Sequence, residues 1–295
     1  MRASALGLGC MRIDEINGRE LSALIDQCLA LGINLFDHAD IYGGGSCEER
    51  FGDLLAESPS LRDKMILQSK CGICKGYYDL SKEYILKSAE AILKRLKTET
   101  LDIFLLHRPD TLMEPDEIAE ALDALFTSGK AKYFGVCNMN PAQIGFLQDA
   151  FGQKFIVDQL QFGVAHSGMI DSGIYVNMES RQSVDHDGGV LEFCRRNNLT
   201  IQAWSPMMYG FFEGIILGSE KYPELNAVLN RIGAEKGVTA GAVAIAWILR
   251  HPAKIQAMTG ATDLTLLTEM AKAADITLSR QEWYEIYLSA GNPLP

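Results

Sequence analysis

Eight times along this chain a short apolar run is followed by a longer segment whose apolar residues recur at helical spacing. That alternation is the pattern of βαβ units, in which a parallel sheet is covered by helices. The predicted strands are residues 5–9, 33–37, 64–69, 101–106, 132–136, 155–159, 200–204 and 255–259. The predicted helices are 19–31, 47–56, 81–96, 115–128, 141–150, 189–197, 238–250 and 264–273. In the first of these, Leu21, Leu24, Ile25, Cys28 and Leu31 share one face, and Gly32 is placed to end the helix. Asn140-Pro141-Ala142-Gln143 reads as an N-cap, a proline at the first helical position and a capping-box partner. Ser279 and Glu282 form a second capping box, which opens an extra C-terminal helix to about Ala290.

Eight strand–helix cycles are the number that closes a (β/α)8 TIM barrel, so the expected fold class is α/β with a single domain over residues 1–295. An open doubly wound sheet would carry G-x-G-x-x-G after an early strand. Gly7-Leu8-Gly9 begins that pattern, but Cys10-Met11-Arg12 follow without a third glycine. At 295 residues, 47% hydrophobic, the chain can bury about 75% of its unfolded surface without a metal or a disulfide.

The net charge is −11, and no run of Lys and Arg offers a phosphate-binding face, so nucleic acid is excluded as a partner. No apolar run reaches the roughly 18 residues of a membrane span. The opening MRASALGLGCMRIDE has no signal-peptide core, and seven cysteines are an odd number without a secretion signal. The expected compartment is the cytoplasm, with no membrane partner. Cys71 and Cys74 have C-x-x-C spacing, but no matching second pair follows, and no metal site is expected.

In a barrel the chemistry sits at the C-terminal ends of the strands. Strand two ends in Asp37, with Tyr42 five residues on. Strand three ends in Gln68-Ser69-Lys70, and strand four runs into His107-Arg108-Pro109-Asp110. Together these types make a proton-donating device. A free tyrosine has a pKa near 10, too high for an efficient acid at neutral pH. A lysine cation beside it favours the tyrosinate and is expected to lower that pKa, while an aspartate holds the lysine charged and in place. A histidine at the same mouth can hydrogen-bond a carbonyl oxygen and orient it.

FDHADIYGGG, the LQSK strand end, LDIFLLHRPD, FGVCN, the Asp158-Gln159 pair and Trp204-Ser205-Pro206 occur in an order and spacing that resemble the aldo-keto reductases. The resemblance is closest to bacterial single-chain oxidoreductases of that family and covers almost everything from Leu6 to Gly291. It implies reduction of a small-molecule aldehyde or ketone by hydride transfer from NADP(H), with NAD(H) also usable. It implies Tyr42 as general acid, Lys70 and Asp37 as its tuning partners and His107 as the carbonyl-orienting residue. By the same resemblance the cofactor contacts Gly9, Cys10, Met11 and Asp37, and Cys137, Asn138 and Gln159 hold the carboxamide. Trp204 stacks on the nicotinamide, Ser205, Pro206, Met207 and Gly210 line the pyrophosphate, and Gly260, Ala261, Thr262, Leu266 and Glu269 surround the adenine end.

The sequence departs from the family at Cys137, where most relatives have serine, and at Asp158, where asparagine is usual. Relatives also carry a hairpin before the first strand. With only Met1 to Ala5 ahead of it here, either the barrel floor is open or the start of the chain lies upstream. No cation stands between Gly260 and Glu269. Asp263 would repel a 2′-phosphate, although backbone N–H groups and Thr262 at the helix start could hold one. Met11, Tyr77, Tyr78, His166, Met169, Tyr209, Phe211 and Phe212 are candidates for an apolar substrate lining, and residues 163–187 for a mobile lid. Two other classes stay open. One is a non-catalytic cofactor-binding regulatory protein on the same fold, against which the intact Asp37, Tyr42, Lys70 and His107 set argues. The other is a metal-dependent barrel hydrolase, which would need more His and carboxylate ligands at the strand ends. The sequence does not define an oligomeric state.

Overall fold

In the computed structural model, which describes residues 2–295, eight strands close a barrel. They are β1 (Leu6–Gly9), β2 (Leu35–Asp37), β3 (Ile66–Cys71), β4 (Leu101–Leu106), β5 (Ala131–Cys137), β6 (Phe155–Gln161), β7 (Thr200–Trp204) and β8 (Gln256–Thr259). Each strand neighbours its predecessor in the chain, and β8 returns to β1. All eight predicted strands are present, with ends that move by no more than two residues. The chain divides into two densely packed units, residues up to 159 with 260–262, and residues 160–259 with 263–295.

The first unit holds β1 to β5 and most of β6, with helices α1 (Gly18–Ala30), α2 (Ser46–Glu57), α3 (Lys82–Arg95), α4 (Pro115–Thr127) and α5 (Pro141–Ala150). Its strands pair in parallel, and β3 and β4 are buried along their whole length, as strands covered on both faces must be. Register places the functional strand ends. Asp37 stands opposite Gln68, and Lys70 and Cys71 stand opposite Leu105 and Leu106, so Lys70 and His107 emerge from adjacent strands. The predicted cap of α5 is present: the Asn140 side chain accepts from the Gln143 N–H at 2.9 Å and the Gln143 side chain accepts from the Asn140 N–H at 3.0 Å. At Gly52 a Cβ would lie 2.0 Å from the carbonyl oxygen of Arg95. Only glycine lets α2 and α3 touch backbone to backbone there, and this brings Arg95 onto α2.

The second unit holds the end of β6, β7, β8 and helices α6 (Gly168–Ile174), α7 (Val190–Asn197), α8 (Pro223–Lys236), α9 (Ala240–Leu249), α10 (Leu264–Ala271) and α11 (Arg280–Ser289). α11 is the extra C-terminal helix, opened by the Ser279–Glu282 capping box. It docks through Trp283, whose ring stacks on Trp247 of α9 at 4.8 Å and 9°. Each indole N–H donates to the other's backbone carbonyl at 3.0 Å, so neither buried donor is lost. α6 and α8 lie outside the predicted helices. α6 falls inside the segment expected to be a lid, and Ser167 and Asp171 of that segment are bonded to residues near the C-terminus. Tyr287 Oη donates to Asp171 Oδ1 at 2.7 Å and Asn292 Nδ2 donates to Ser167 Oγ at 3.3 Å. Among the described residues no single helix is long and apolar enough to cross a membrane, and all seven cysteines are free thiols.

Candidate active site

β2 and β3 deliver three of the predicted catalytic side chains to one point. Lys70 Nζ donates to both carboxylate oxygens of Asp37 at 2.9 Å, to the His38 carbonyl at 2.6 Å and to Tyr42 Oη at 3.2 Å. The ammonium is fully buried. Gln68, two residues before Lys70 and so on the same face of β3, donates to Asp37 Oδ1 at 2.6 Å. Gln68 was not among the expected site residues, although the period of two in Gln68-Ser69-Lys70 marks it. The Tyr42 turn is held by glycine: Gly43 sits at φ +57°, and a Cβ there would meet Ser46 Oγ at 2.1 Å and Asp14 Oδ2 at 2.3 Å. His107 leaves β4 beside this group, its ring edge-on to Tyr42 with centroids 6.2 Å apart.

The electrostatics correct one expectation. Tyr42 is pushed up to about 12, not down: burial is the largest cause, and the downward pull of Lys70 does not offset it. The phenol therefore keeps its proton at neutral pH. Burial opposes the charge of Lys70, but Asp37, then Tyr42 and Cys137, reverse this and hold the ammonium above the ordinary lysine range. Burial, helped by the charges of Lys70 and Arg108, pushes His107 well below its usual value, so its ring is neutral. The site thus contains a neutral acid, a fixed cation beside it and a neutral imidazole.

The remaining expected residues fall into separate places. In the first unit, Cys137 and Gln159 stand opposite one another in register at the ends of β5 and β6, with Cys137 Sγ donating to Gln159 Oε1 at 3.9 Å. Asn138 follows in the left-handed region at φ 55°, its N–H on the Gln159 carbonyl at 3.1 Å. Gly9 ends β1 and Met11 is exposed. Cys10 is buried with its thiol on the Leu8 carbonyl at 3.6 Å, so it presents no side chain to a ligand. Gly260, Ala261 and Thr262 are half-buried, and a Cβ at Gly260 would meet nothing within 4 Å.

In the second unit, Trp204 ends β7 with Phe212 stacked on it at 6.0 Å and Phe211 edge-on at 6.4 Å. Ser205 takes a left-handed turn at φ 49°, Pro206 and Met207 are buried, and the Gly210 carbonyl accepts from Gln161 at 2.7 Å. Leu266 is exposed at the start of α10, and Glu269 pairs with Lys272 at 2.6 Å. The expectation that helix N–H groups here could hold a phosphate meets an obstacle: Asp263 caps α10, its carboxylate already accepting from the Leu266 N–H at 2.7 Å. Of the residues expected to line a substrate, Tyr77, Tyr78, Phe211 and Phe212 are exposed. Met169 is buried, and Tyr209 packs against Tyr222 at 5.3 Å.

The aldo/keto reductase family profile matches residues 5–287. The chain belongs to the aldo/keto reductase family. It is an oxidoreductase that acts on small-molecule carbonyl compounds. A 6-dehydroglucose reductase of Agrobacterium fabrum is 37% identical over 280 residues, covering 92% of this chain and 87% of that one. An oxidoreductase of Bacillus subtilis, YcsN, is 34% identical, covering 95% and 91%. Among solved structures, an aldo/keto reductase from Klebsiella pneumoniae in complex with NADP and acetate superposes with a TM-score of 0.78 at 24% identity, covering 99% of this chain and 93% of that one. That likeness is one of fold: the aldo-keto reductase barrel is the one these eight strands form.

Proposed function

We propose that this aldo-keto reductase reduces an aldehyde or ketone to the alcohol, with Tyr42 giving its phenolic proton to the carbonyl oxygen. The observation that carries the reading is the buried Lys70 ammonium, held by Asp37 and placed 3.2 Å from the Tyr42 phenol. Tyr42 is protonated at neutral pH and so can donate. Lys70 remains charged and stabilises the tyrosinate left behind. Neutral His107 offers a ring hydrogen bond to the carbonyl oxygen without a competing charge. The cofactor we propose is NADP(H), which when bound supplies the hydride to the carbonyl carbon.

Cys137 and Gln159, paired in register at two strand ends, and Asn138 beside them suit a flat amide-bearing ring, as does the half-buried Trp204. Ser205, Pro206, Met207 and Gly210 would lie along the pyrophosphate, and Gly260, Ala261, Thr262 and Glu269 near the adenine. The start of α10 suits a 2′-phosphate less well, because Asp263 already takes an N–H there. We place the enzyme in the cytoplasm as one catalytic domain, a reading supported by its seven free thiols. A sugar-derived carbonyl is the first substrate to test, since the Agrobacterium fabrum relative is named a 6-dehydroglucose reductase.

Tyr42→Phe tests the acid. Carbonyl reduction should fall by about 10²-fold or more while cofactor affinity is kept. A variant that reduces aldehydes at the wild-type rate would remove Tyr42 from the reaction.

A further inference from the structure

Lys70 faces more acceptors than it has protons to give. An ammonium carries three N–H bonds. Four oxygens lie within reach of Lys70 Nζ: both carboxylate oxygens of Asp37 at 2.9 Å, the His38 carbonyl at 2.6 Å and Tyr42 Oη at 3.2 Å. The phenol is the farthest of the four, so it is the first to lose its N–H when the others compete. Gln68 relieves that competition. It stands opposite Asp37 in register, fully buried, and its Nε2 donates to Asp37 Oδ1 at 2.6 Å. An ionised carboxylate only accepts, so the amide turns its NH2 group toward it. The Gln68 backbone carbonyl accepts from the His38 N–H at 2.8 Å, which fixes the main chain next to Asp37. Asp37 Oδ1 therefore has a donor besides Lys70.

We propose that Gln68 is a positioning residue for proton transfer: by donating to Asp37 Oδ1 it relieves Lys70 of one acceptor and frees the third ammonium N–H for Tyr42. The proposal rests on Tyr42 being the proton donor. Gln68 acts through Asp37 and Lys70, not on the substrate. With its amide in place, one N–H goes to Asp37 Oδ2, one to the His38 carbonyl and one to Tyr42 Oη. When the phenol gives up its proton, that third N–H already points at the oxygen where charge develops. Without the amide, Oδ1 is left short of a donor in a buried site, which is costly for a charged oxygen, and Lys70 turns to it. The tyrosinate then forms with its stabilising N–H withdrawn, and the proton is harder to release.

The test is a double-mutant cycle on the single-turnover rate of glyceraldehyde reduction by NADPH. Gln68→Met nearly keeps the volume and removes the donor. It should lower the rate by about tenfold or more, the usual contribution of one hydrogen bond to a charged group. NADPH affinity should stay constant, and the ratio of rates in H2O and D2O should rise as proton transfer becomes more limiting. In the Tyr42→Phe background the same substitution should change the residual rate by less than about twofold, because Gln68 acts only through the phenol. Equal losses in both backgrounds, or no loss with Tyr42 present, would overturn the proposal. Gln68→Glu gives a second reading, available even if Gln68→Met does not fold. Beside the Asp37 carboxylate, its carboxyl holds its proton above the usual value near 4. Protonated, it donates to Oδ1 and should support a rate close to wild type at about pH 5. Ionised, it cannot donate, and its rate relative to wild type should fall as pH rises to about 9. A ratio that stays level over this range would equally defeat the proposal. Activity retained in Tyr42→Phe alone would instead strike the donor assignment, whatever Gln68 does.

Discussion

Lys70 and Asp37 form a two-pronged ion pair, the ammonium 2.9 Å from each carboxylate oxygen and neither side chain open to solvent. Removing one partner of such a pair strands the other charge in the interior, at a cost of about 3–5 kcal/mol. Lys70→Met should therefore lose both activity and stability. The double variant Asp37→Asn/Lys70→Met separates the two effects. It should recover most of the lost stability in urea unfolding, because no buried charge remains, and none of the activity. A stable, fully active Lys70→Met enzyme would contradict the role given to the pair.

The strands and their ends were legible because both depend on local pattern: apolar runs of strand length, and polar residues where they stop. Asp37, Lys70 and His107 could be picked out for that reason. The direction of the Tyr42 shift was not legible, because it depends on how deeply the ring is buried, and neighbouring residue types do not report that. Nor was the Glu48–Arg95 pair, whose members lie 47 residues apart and meet only because α2 and α3 touch at Gly52. α6 has seven residues, two of them glycine, and shows no helical period. α8 could have been read: Pro223 opens it, Leu225, Leu229 and Ile232 share a face, and Gly237 closes it at φ 69°.

Cys137 is buried, with its thiol pushed up chiefly by burial. A thiol donates weakly, and its 3.9 Å contact to Gln159 is correspondingly long. Cys137→Ser should bind the cofactor at least as tightly as the wild type, by about tenfold at most, the worth of one hydrogen bond. Fluorescence titration with the reduced cofactor measures it. A serine variant that bound more weakly would place Cys137 outside the cofactor site.

His38 predicts acid sensitivity. Its ring is fully buried against Phe51 at 4.6 Å, neither ring nitrogen has a hydrogen-bond partner, and burial pushes its pKa down to about 3. Above about pH 6.5 neither the folded nor the unfolded chain binds the proton. As pH falls below that, the unfolded chain takes it up and the folded chain does not, so stability is lost progressively until the folded value near 3 is reached. Between about pH 7 and about pH 5 the loss from this one group is about 2 kcal/mol. Burial, then Glu48, push Asp40 up to about 7, so it acts in the opposite direction over the same range, and the readout is a difference between variants. His38→Leu should have a flatter acid limb than the wild type in urea unfolding. Parallel limbs would show that His38 is not the group that titrates.

Cofactor choice follows from the start of α10. The enzyme has no basic residue from Leu264 to Ala271, and Leu264 and Leu266 are exposed there, 40% and 42%. The Asp263 carboxylate occupies the Leu266 N–H that could otherwise meet a 2′-phosphate, and the charge of Lys272 is engaged by Glu269. A phosphate brought to this end of the helix meets a carboxylate and no free cation, whereas a ribose 2′-hydroxyl can donate to that same carboxylate. NADH should therefore be usable, with a kcat/KM within about tenfold of that for NADPH, or about 1.4 kcal/mol. Leu266→Arg adds a planar cation suited to phosphate and should raise the NADPH preference by about tenfold or more, with the change appearing in cofactor affinity and not in kcat. Initial rates with both cofactors, together with fluorescence binding curves, provide the measurement. A wild-type preference for NADPH of about a thousandfold, near 4 kcal/mol, would require a cation reaching the phosphate from another part of the chain.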